Sequence, residues 1–446
     1  MDDREIRMLH IQPKHKMIKL ENIQELVGNH VAPYIYNAKN FTPGKTPIYY
    51  SGPYWDNKET EAAIESFLNG KWITTGEKVY KFENQFSKRF NVKHSHMVNS
   101  GSSANLVLIA ALKKRFNWAD DDEIIVSPVG FATTVSVLYQ HRLKPVFVDI
   151  EWDTLNFDLD QVEAKITDKT RGIFISPVLG NPPDMDRLVA MAEKYNLKLI
   201  GDNCDSLGSK WNGKFLSEYY VAFSNSFYPA HHISTGEGGM ICTNDDELKR
   251  LFVSISWWGR DCYCIGSANL LPCGTCGNRF DKWLDNYDGV IDHKYVFSQM
   301  GYNLKPLDLQ GAIGLEQLIK LDEMEAKRRS AKARLTKIFT DNIPNLRSPS
   351  KLELADPCWF GTPFICDEDG LKHRLVAFLE ENKIQTRNYF AGNILMHPAY
   401  SHLDDMNLYP NSNQVLDKVF FLGASPHYND EVFDYINSVF ENKWEN

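Results

Sequence analysis

Residues 172–202 read GIFISPVLGNPPDMDRLVAMAEKYNLKLIGD. Within them, Gly172–Ser176 and Leu197–Gly201 are short apolar runs, as expected of buried strands. Asp184–Tyr195, between them, has the periodicity of a helix. Strand, helix and strand in that order make a βαβ unit, and so a pair of parallel strands. The alternation continues on both sides. Upstream, Ile124–Val126 and Pro145–Asp149 read as strands, and Thr133–His141 and Leu159–Ile166 as helices. Downstream, Val221–Ser226 and Gly239–Thr243 read as further strands. The pattern predicts an α/β protein with a doubly wound, mostly parallel sheet.

Farther out the signals change. Pro33, Pro43, Pro47 and Pro53 break any long helix, so residues 1–55 are expected to form an irregular N-terminal segment. Glu61, Ala62, Ile64, Phe67 and Leu68 then recur at helical spacing, and Lys78–Phe90 follows as a second amphipathic helix. After the sheet, a helix at Glu247–Trp257 runs into a Gly- and Cys-rich loop, and Asp308–Phe339 reads as one long helix. A strand at Pro363–Cys366 and a helix at Gly370–Asn382 come next. The expected division is a large domain over residues 56–325, with a Cys-rich insertion near 258–296, and a smaller α+β C-terminal domain over 326–446.

Composition sets limits on function. The 446 residues are 43% hydrophobic and 24% charged, ordinary for a soluble protein of two domains. Forty-nine basic against 58 acidic side chains leave a formal net charge of −9, which argues against a nucleic-acid binder or a polybasic membrane anchor. Met1–Lys16 is charged throughout, and no stretch approaches the roughly 18 apolar residues of a membrane helix. A cytoplasmic location follows as the expectation. The 8 cysteines then read as reduced core residues, metal ligands or redox centres rather than disulfides.

Three segments carry chemistry. Asn99-Ser100-Gly101-Ser102-Ser103-Ala104-Asn105 precedes the apolar helix Leu106–Leu112. Its small residues and the free N–H groups of a helix start suit an anion; Ser102 or Ser103 acting as a plain helix cap accounts for the same residues. Asp202 follows an apolar strand, where α/β folds gather ligands, and could pair with a pyridine nitrogen or serve as a turn or cap residue. The third segment runs Ser224-Asn225-Ser226-Phe227-Tyr228-Pro229-Ala230-His231-His232-Ile233-Ser234-Thr235-Gly236-Glu237-Gly238-Gly239.

Taken together, these segments resemble the DegT/DnrJ/EryC1/StrS family of sugar aminotransferases. The likeness includes Gly301-Tyr302-Asn303, Asp308-Leu309-Gln310 and the Ala312-Ile313-Gly314 helix, and runs from about Tyr54 to the C-terminus. It implies the type I fold of pyridoxal-phosphate enzymes, like that of aspartate aminotransferase. It also implies that Gly101, Ser102 and Ser226 hold the cofactor phosphate, that Phe131 stacks on the ring and that Asp202 pairs with its nitrogen. Asn303 would reach the phosphate of a neighbouring subunit, making a homodimer. Asp205 departs from the family, which usually carries glutamine or histidine there.

The larger departure is His231, at the position of the family's lysine. Imidazole cannot hold the cofactor as a Schiff base, but it can move a proton. His231, rather than His232, aligns as that base. The substitution resembles the sugar 3-dehydratase branch, which binds pyridoxamine 5′-phosphate without a covalent link. Cys262, Cys264, Cys273 and Cys276 crowd one loop, a pattern that suits zinc or an iron–sulfur cluster. Cys204, Cys262 and Cys264 match the spacing of a subgroup that carries a [2Fe–2S] cluster. The last interval departs from that spacing, since Cys273 lies one position beyond the expected place; Thr275-Cys276-Gly277-Asn278-Arg279-Phe280 resembles the segment around the subgroup's last ligand, which implies Cys276 as the fourth ligand, with Cys273 as the alternative.

The resemblance implies removal of the C3 hydroxyl from a nucleotide-linked 4-keto-6-deoxyhexose, CDP-linked in that subgroup, on the way to 3,6-dideoxyhexoses of lipopolysaccharide O-antigen. An NAD(P)H-dependent iron–sulfur flavin reductase would supply electrons. Three rivals remain: a cluster-free dehydratase of the GDP-4-keto-6-deoxymannose type, a true aminotransferase, which the missing lysine opposes, and a non-catalytic homologue that binds zinc.

Overall fold

The computed structural model describes residues 18–28, 41–70, 72–262, 279–281 and 284–444. Its main sheet has seven strands in the order β1-β9-β8-β5-β4-β2-β3. These are β1 His94–Val98, β2 Glu123–Val126, β3 Lys144–Phe147, β4 Thr170–Ile175, β5 Lys198–Asp202, β8 Ala222–Ser226 and β9 Gly239–Thr243. From β8 to β3 all neighbours are parallel, and only β9 runs against its neighbours β8 and β1. The two-residue strands β6 Lys210–Trp211 and β7 Lys214–Phe215 join β11 Ala355–Asp356 in a separate three-stranded ribbon.

Both faces of the main sheet are covered, which is why its strands read as continuous apolar runs. On one face Phe82, Phe86, Phe223, Phe227 and Met240 form a core. On the other, the helix Gly101–Arg115 inserts Val107, Leu108 and Leu112 against Ile124, Phe147 and Phe174. Each fully buried aromatic or aliphatic side chain here contributes about 1.5–3 kcal/mol.

A second sheet, antiparallel, has the order β10-β12-β14-β13, with β10 Leu346–Arg347, β12 Gly361–Cys366, β13 Arg387–Asn388 and β14 Val419–Gly423. The helices Leu371–Glu381 and Asp430–Lys443 cover it around Phe364, Leu375, Phe420 and Ile436. One helix, Asp308–Asn342, serves both sheets. Its first half lies so close to the helix Glu77–Arg89 that a Cβ on Gly311 would collide with the Val79 backbone. Its second half buries Leu335 and Phe339 under the small sheet.

The expected boundary near residue 325 falls inside the helix Asp308–Asn342, the long helix expected to lead out of the large domain. Other expectations shift. The proline-broken N-terminal segment contains a helix, Leu20–Gly28, because Ile23 and Val27 find cover that proline spacing could not reveal. Strand β1 is an addition to the predicted set. Among the described residues no helix is long and apolar enough to cross a membrane.

Candidate active site

The carboxyl ends of β5 and β8 and the start of the helix Gly101–Arg115 meet at one place. The helix begins one residue after Ser100, whose Oγ accepts from Ser103 N at 3.1 Å. The cap is therefore Ser100, not Ser102 or Ser103, because both of those already lie inside the first turn. Gly101 sits against the end of β8, where any Cβ would collide with Ser226. Glycine is required by this close approach rather than by an unusual backbone angle. Ser226 Oγ accepts from Tyr228 N at 3.3 Å, and Ser102 is exposed at the helix start.

Asp202, the last residue of β5, is buried and oriented from three directions. Asn105 Nδ2 donates to its Oδ2 at 2.8 Å, Thr134 Oγ1 donates to the same oxygen at 2.7 Å, and Cys204 N donates to Oδ1 at 3.3 Å. Ser224 Oγ in turn fixes Asn105 by donating to its Oδ1 at 2.5 Å. Phe131 stands at the start of the helix Ala132–Gln140 and is 55% exposed, its ring edge-to-face with Phe390. Ser127, Gly130, Thr134 and Ser176 line a small cavity beside it.

The strand β8 to β9 connection brings His231 to the same region. Its Nδ1 lies 3.6 Å from Asp205 Oδ1, and its ring packs on Phe360 with centroids 5.1 Å apart. Burial, followed by the charge of Arg328, pushes the imidazole down to about 3, against a hydrogen bond to the Cys204 carbonyl. His231 is therefore a neutral base at physiological pH, and its Nδ1 has no hydrogen-bond partner. His232 points elsewhere: it is 2% exposed and its Nε2 is bonded to Cys358 O at 2.8 Å. Asp205 is pushed up to about 7, mainly by burial and then by the charge of Asp202.

The predicted residues thus divide. Gly101, Ser226, Asp202 and His231 come together around the ends of β5 and β8, with Ser102 and Phe131 at adjoining helix starts. Asn303 stands on the surface, its amide oxygen accepting from Lys305 Nζ. Cys204 lies beside Asp202; burial, and then that carboxylate, raise its thiol well above the ordinary range. Cys262 is buried with Val253 and Trp257. Cys264, Cys273 and Cys276 lie outside the described residues, among which no group of three or more His, Cys, Asp or Glu could hold a metal. Cys242, Cys358 and Cys366 are buried thiols.

Sequence reasoning did not single out Asn105 and Thr134 as ligands of Asp202, though both lie in or next to the quoted motifs. Arg328 and Phe360 carry no local signal at all. The arrangement fits a phosphate-bearing pyridine cofactor. It has a helix start with the Ser226 hydroxyl drawn close beside it for the phosphate, a fixed carboxylate for a ring nitrogen, an exposed aromatic residue, and an imidazole with an unpartnered nitrogen. No lysine occurs between Lys214 and Lys249 to form a covalent link from this connection.

The crystal structure of Escherichia coli GDP-4-keto-6-deoxy-D-mannose-3-dehydratase with bound hydrated PLP superposes with a TM-score of 0.77 at 32% identity, covering 88% of this chain and 99% of that one. The dTDP-4-dehydro-2,6-dideoxy-D-glucose 3-dehydratase of Saccharopolyspora spinosa is 38% identical over 407 residues, 90% of this chain and 87% of the relative. The lipopolysaccharide biosynthesis protein RfbH of Salmonella typhimurium is 37% identical over 431 residues, 94% and 98% of the two chains. The fold is that of the pyridoxal-phosphate-dependent aminotransferases. With the family profile matching residues 55–441, the chain belongs to the DegT/DnrJ/EryC1/StrS aminotransferase family.

Proposed function

We propose that this chain is a pyridoxamine-phosphate-dependent 3-dehydratase of a nucleotide-linked 4-keto-6-deoxyhexose. The observation that carries the reading is the His231 imidazole, 3.6 Å from Asp205 on a connection that contains no lysine. Pyridoxamine phosphate, when bound, supplies an amine for the C4 ketone and a ring that spreads negative charge.

The side chains take the remaining roles. Gly101 and Ser102 N–H groups and the Ser226 hydroxyl hold the phosphate, and Asn303 reaches that of a second copy, so the working unit is a homodimer. Asp202, locked by Asn105 and Thr134, keeps the pyridine nitrogen protonated. Phe131 covers the ring. His231 Nδ1 takes up the proton whose removal precedes loss of the C3 hydroxyl and passes it to that oxygen as the C3–O bond breaks, so the hydroxyl leaves as water and the imidazole returns to its starting state. No amine side chain is present at residue 231 to complete a transamination.

Cys204, Cys262, Cys264 and Cys276, with Cys273 as the alternative fourth ligand, form the donor set we assign to a [2Fe–2S] cluster. Four thiols are what such a cluster takes, and it supplies single-electron transfer. An NAD(P)H-dependent iron–sulfur flavin reductase is the matching electron source, and the product is a 3,6-dideoxyhexose precursor for surface polysaccharide. The cysteines favour the CDP-linked substrate. Likeness alone selects no nucleotide: the 38%-identical relative from Saccharopolyspora spinosa is named for a dTDP-linked sugar, and the Escherichia coli relative, 34% identical over 397 residues, for a GDP-linked one.

Anaerobically purified protein tests the cluster. Two irons and two sulfides per chain, with an EPR signal on reduction, are expected; zinc alone removes the cluster. Incubation with CDP-, dTDP- and GDP-linked 4-keto-6-deoxyhexoses tests the reaction, and transfer of an amino group to the sugar overturns it.

A further inference from the structure

Arg328 lies midway along the helix Asp308–Asn342 and is 2% exposed. Its neighbour Arg329 makes ordinary ion pairs with Asp356 and Glu325. Arg328 pairs with no carboxylate among the described residues. Its donors go to three backbone carbonyls: Nη2 to His231 O at 2.9 Å, and Nη1 to Phe360 O at 3.2 Å and Ala424 O at 3.5 Å. Nε is buried with no acceptor. Burial lowers the guanidinium to about 10, so it stays charged at neutral pH.

A buried cation with no counter-ion and one unmet donor is costly to a fold. Aliphatic side chains fill comparable positions on the same helix, at Leu321, Met324 and Leu335. The carbonyls that Arg328 selects explain its presence. One belongs to His231. The second belongs to Phe360, which immediately precedes β12 and whose ring packs on the His231 imidazole. The third belongs to Ala424, which immediately follows β14. One rigid, planar group thus ties the peptide that carries the imidazole, and the ring it leans on, to the small sheet.

We propose that Arg328 is a positioning residue for the dehydration, fixing where the His231 imidazole points by clamping the His231 and Phe360 peptides together. The proposal rests on the reading of His231 as the base. Displacing a base by about 1 Å is enough to lose on the order of a hundredfold in rate. A lysine keeps the charge but cannot span three carbonyls, and a methionine keeps the packing but supplies no donor.

The test uses the cofactor-loaded full chain with 13C-labelled histidine, the His231 resonance being assigned by His231→Asn. In the wild type one ring-current-shifted His231 signal is expected. In Arg328→Met it is expected to split or lose the shift, with kcat at least twentyfold lower, KM within twofold and cofactor uptake retained. Arg328→Lys is expected to recover part of kcat without restoring the single signal. A folded Arg328→Met with the wild-type signal and kcat overturns the proposal. Where Arg328→Met does not fold, Arg328→Lys decides: wild-type kcat and signal overturn the clamp, and a lower kcat at unchanged KM supports it. If the wild type dehydrates no sugar, the functional reading fails, while the histidine signal still reports on the clamp.

Discussion

Two buried polar residues tie the main sheet to the small one, and they are treated in opposite ways. Asp149, just beyond β3, is 1% exposed and accepts from Ile150 N at 2.9 Å, Ser412 N at 2.9 Å, Ser412 Oγ at 2.5 Å and Asn411 N at 3.0 Å. It sits at the start of the helix Pro410–Lys418, where a carboxylate also meets the positive end of the helix dipole. Every cost of burying that charge is answered locally. Arg328 is equally buried, but has no counter-ion among the described residues and one donor left over. The residue remote from His231 is fully compensated, and the one beside it is not. Incomplete compensation of this kind gathers at functional sites, where geometry is selected over stability.

The largest expected effect lies at the centre of the uncompensated region. His231→Asn removes the imidazole proposed as the proton acceptor while keeping a polar group of similar reach. Turnover of the 4-keto sugar should fall at least about a thousandfold, while absorbance shows the cofactor still bound. Retained activity would show that the imbalance around His231 has nothing to do with chemistry.

Asp149→Ala probes the compensated side. It leaves two helix N–H groups and a hydroxyl without their acceptor, and should destabilise the fold by roughly 2–4 kcal/mol. Thermal unfolding measures this loss, and kcat below the transition should not move. A drop in kcat with unchanged stability would erase the distinction between the two ties.

The smallest effect concerns a third, half-buried group, Glu83, whose Oε1 accepts from Met97 N at 2.7 Å and lies 3.3 Å from His96 Nδ1. Burial raises its carboxyl, but the Lys249 charge and the contact with His96 outweigh this and leave it below its ordinary value. A depressed carboxyl contributes stability above a pH of about 4.5 that is lost as pH falls through the folded value. Glu83→Gln should therefore flatten the acid side of the stability profile and cost on the order of 1 kcal/mol near neutrality. An unchanged acid limb in chemical denaturation would show that this pair is not among the compensated ones.

Six of the seven strands of the main sheet, all but β1, could be read from the chain to within a few residues, as could the order of the glycine, serine and aspartate that meet at its carboxyl edge. The helix Leu20–Gly28 could not, because its two buried residues are too few to set a period against the surrounding prolines. Nor could the cap at Ser100, since a run of serines offers several equivalent hydroxyls and only the backbone decides which precedes the first turn.

By itself the sequence determined the fold class, the family's ordered motifs and the presence of His231, with no lysine, in the β8–β9 connection, because hydrophobic period, turn residues and side-chain chemistry are all local properties of the chain. Only the tertiary structure decided what surrounds that imidazole. Arg328 reaches His231 across 97 positions, and Asp149 meets Ser412 across 263. Such partners are chosen by sheet order and helix packing, and no local pattern records them.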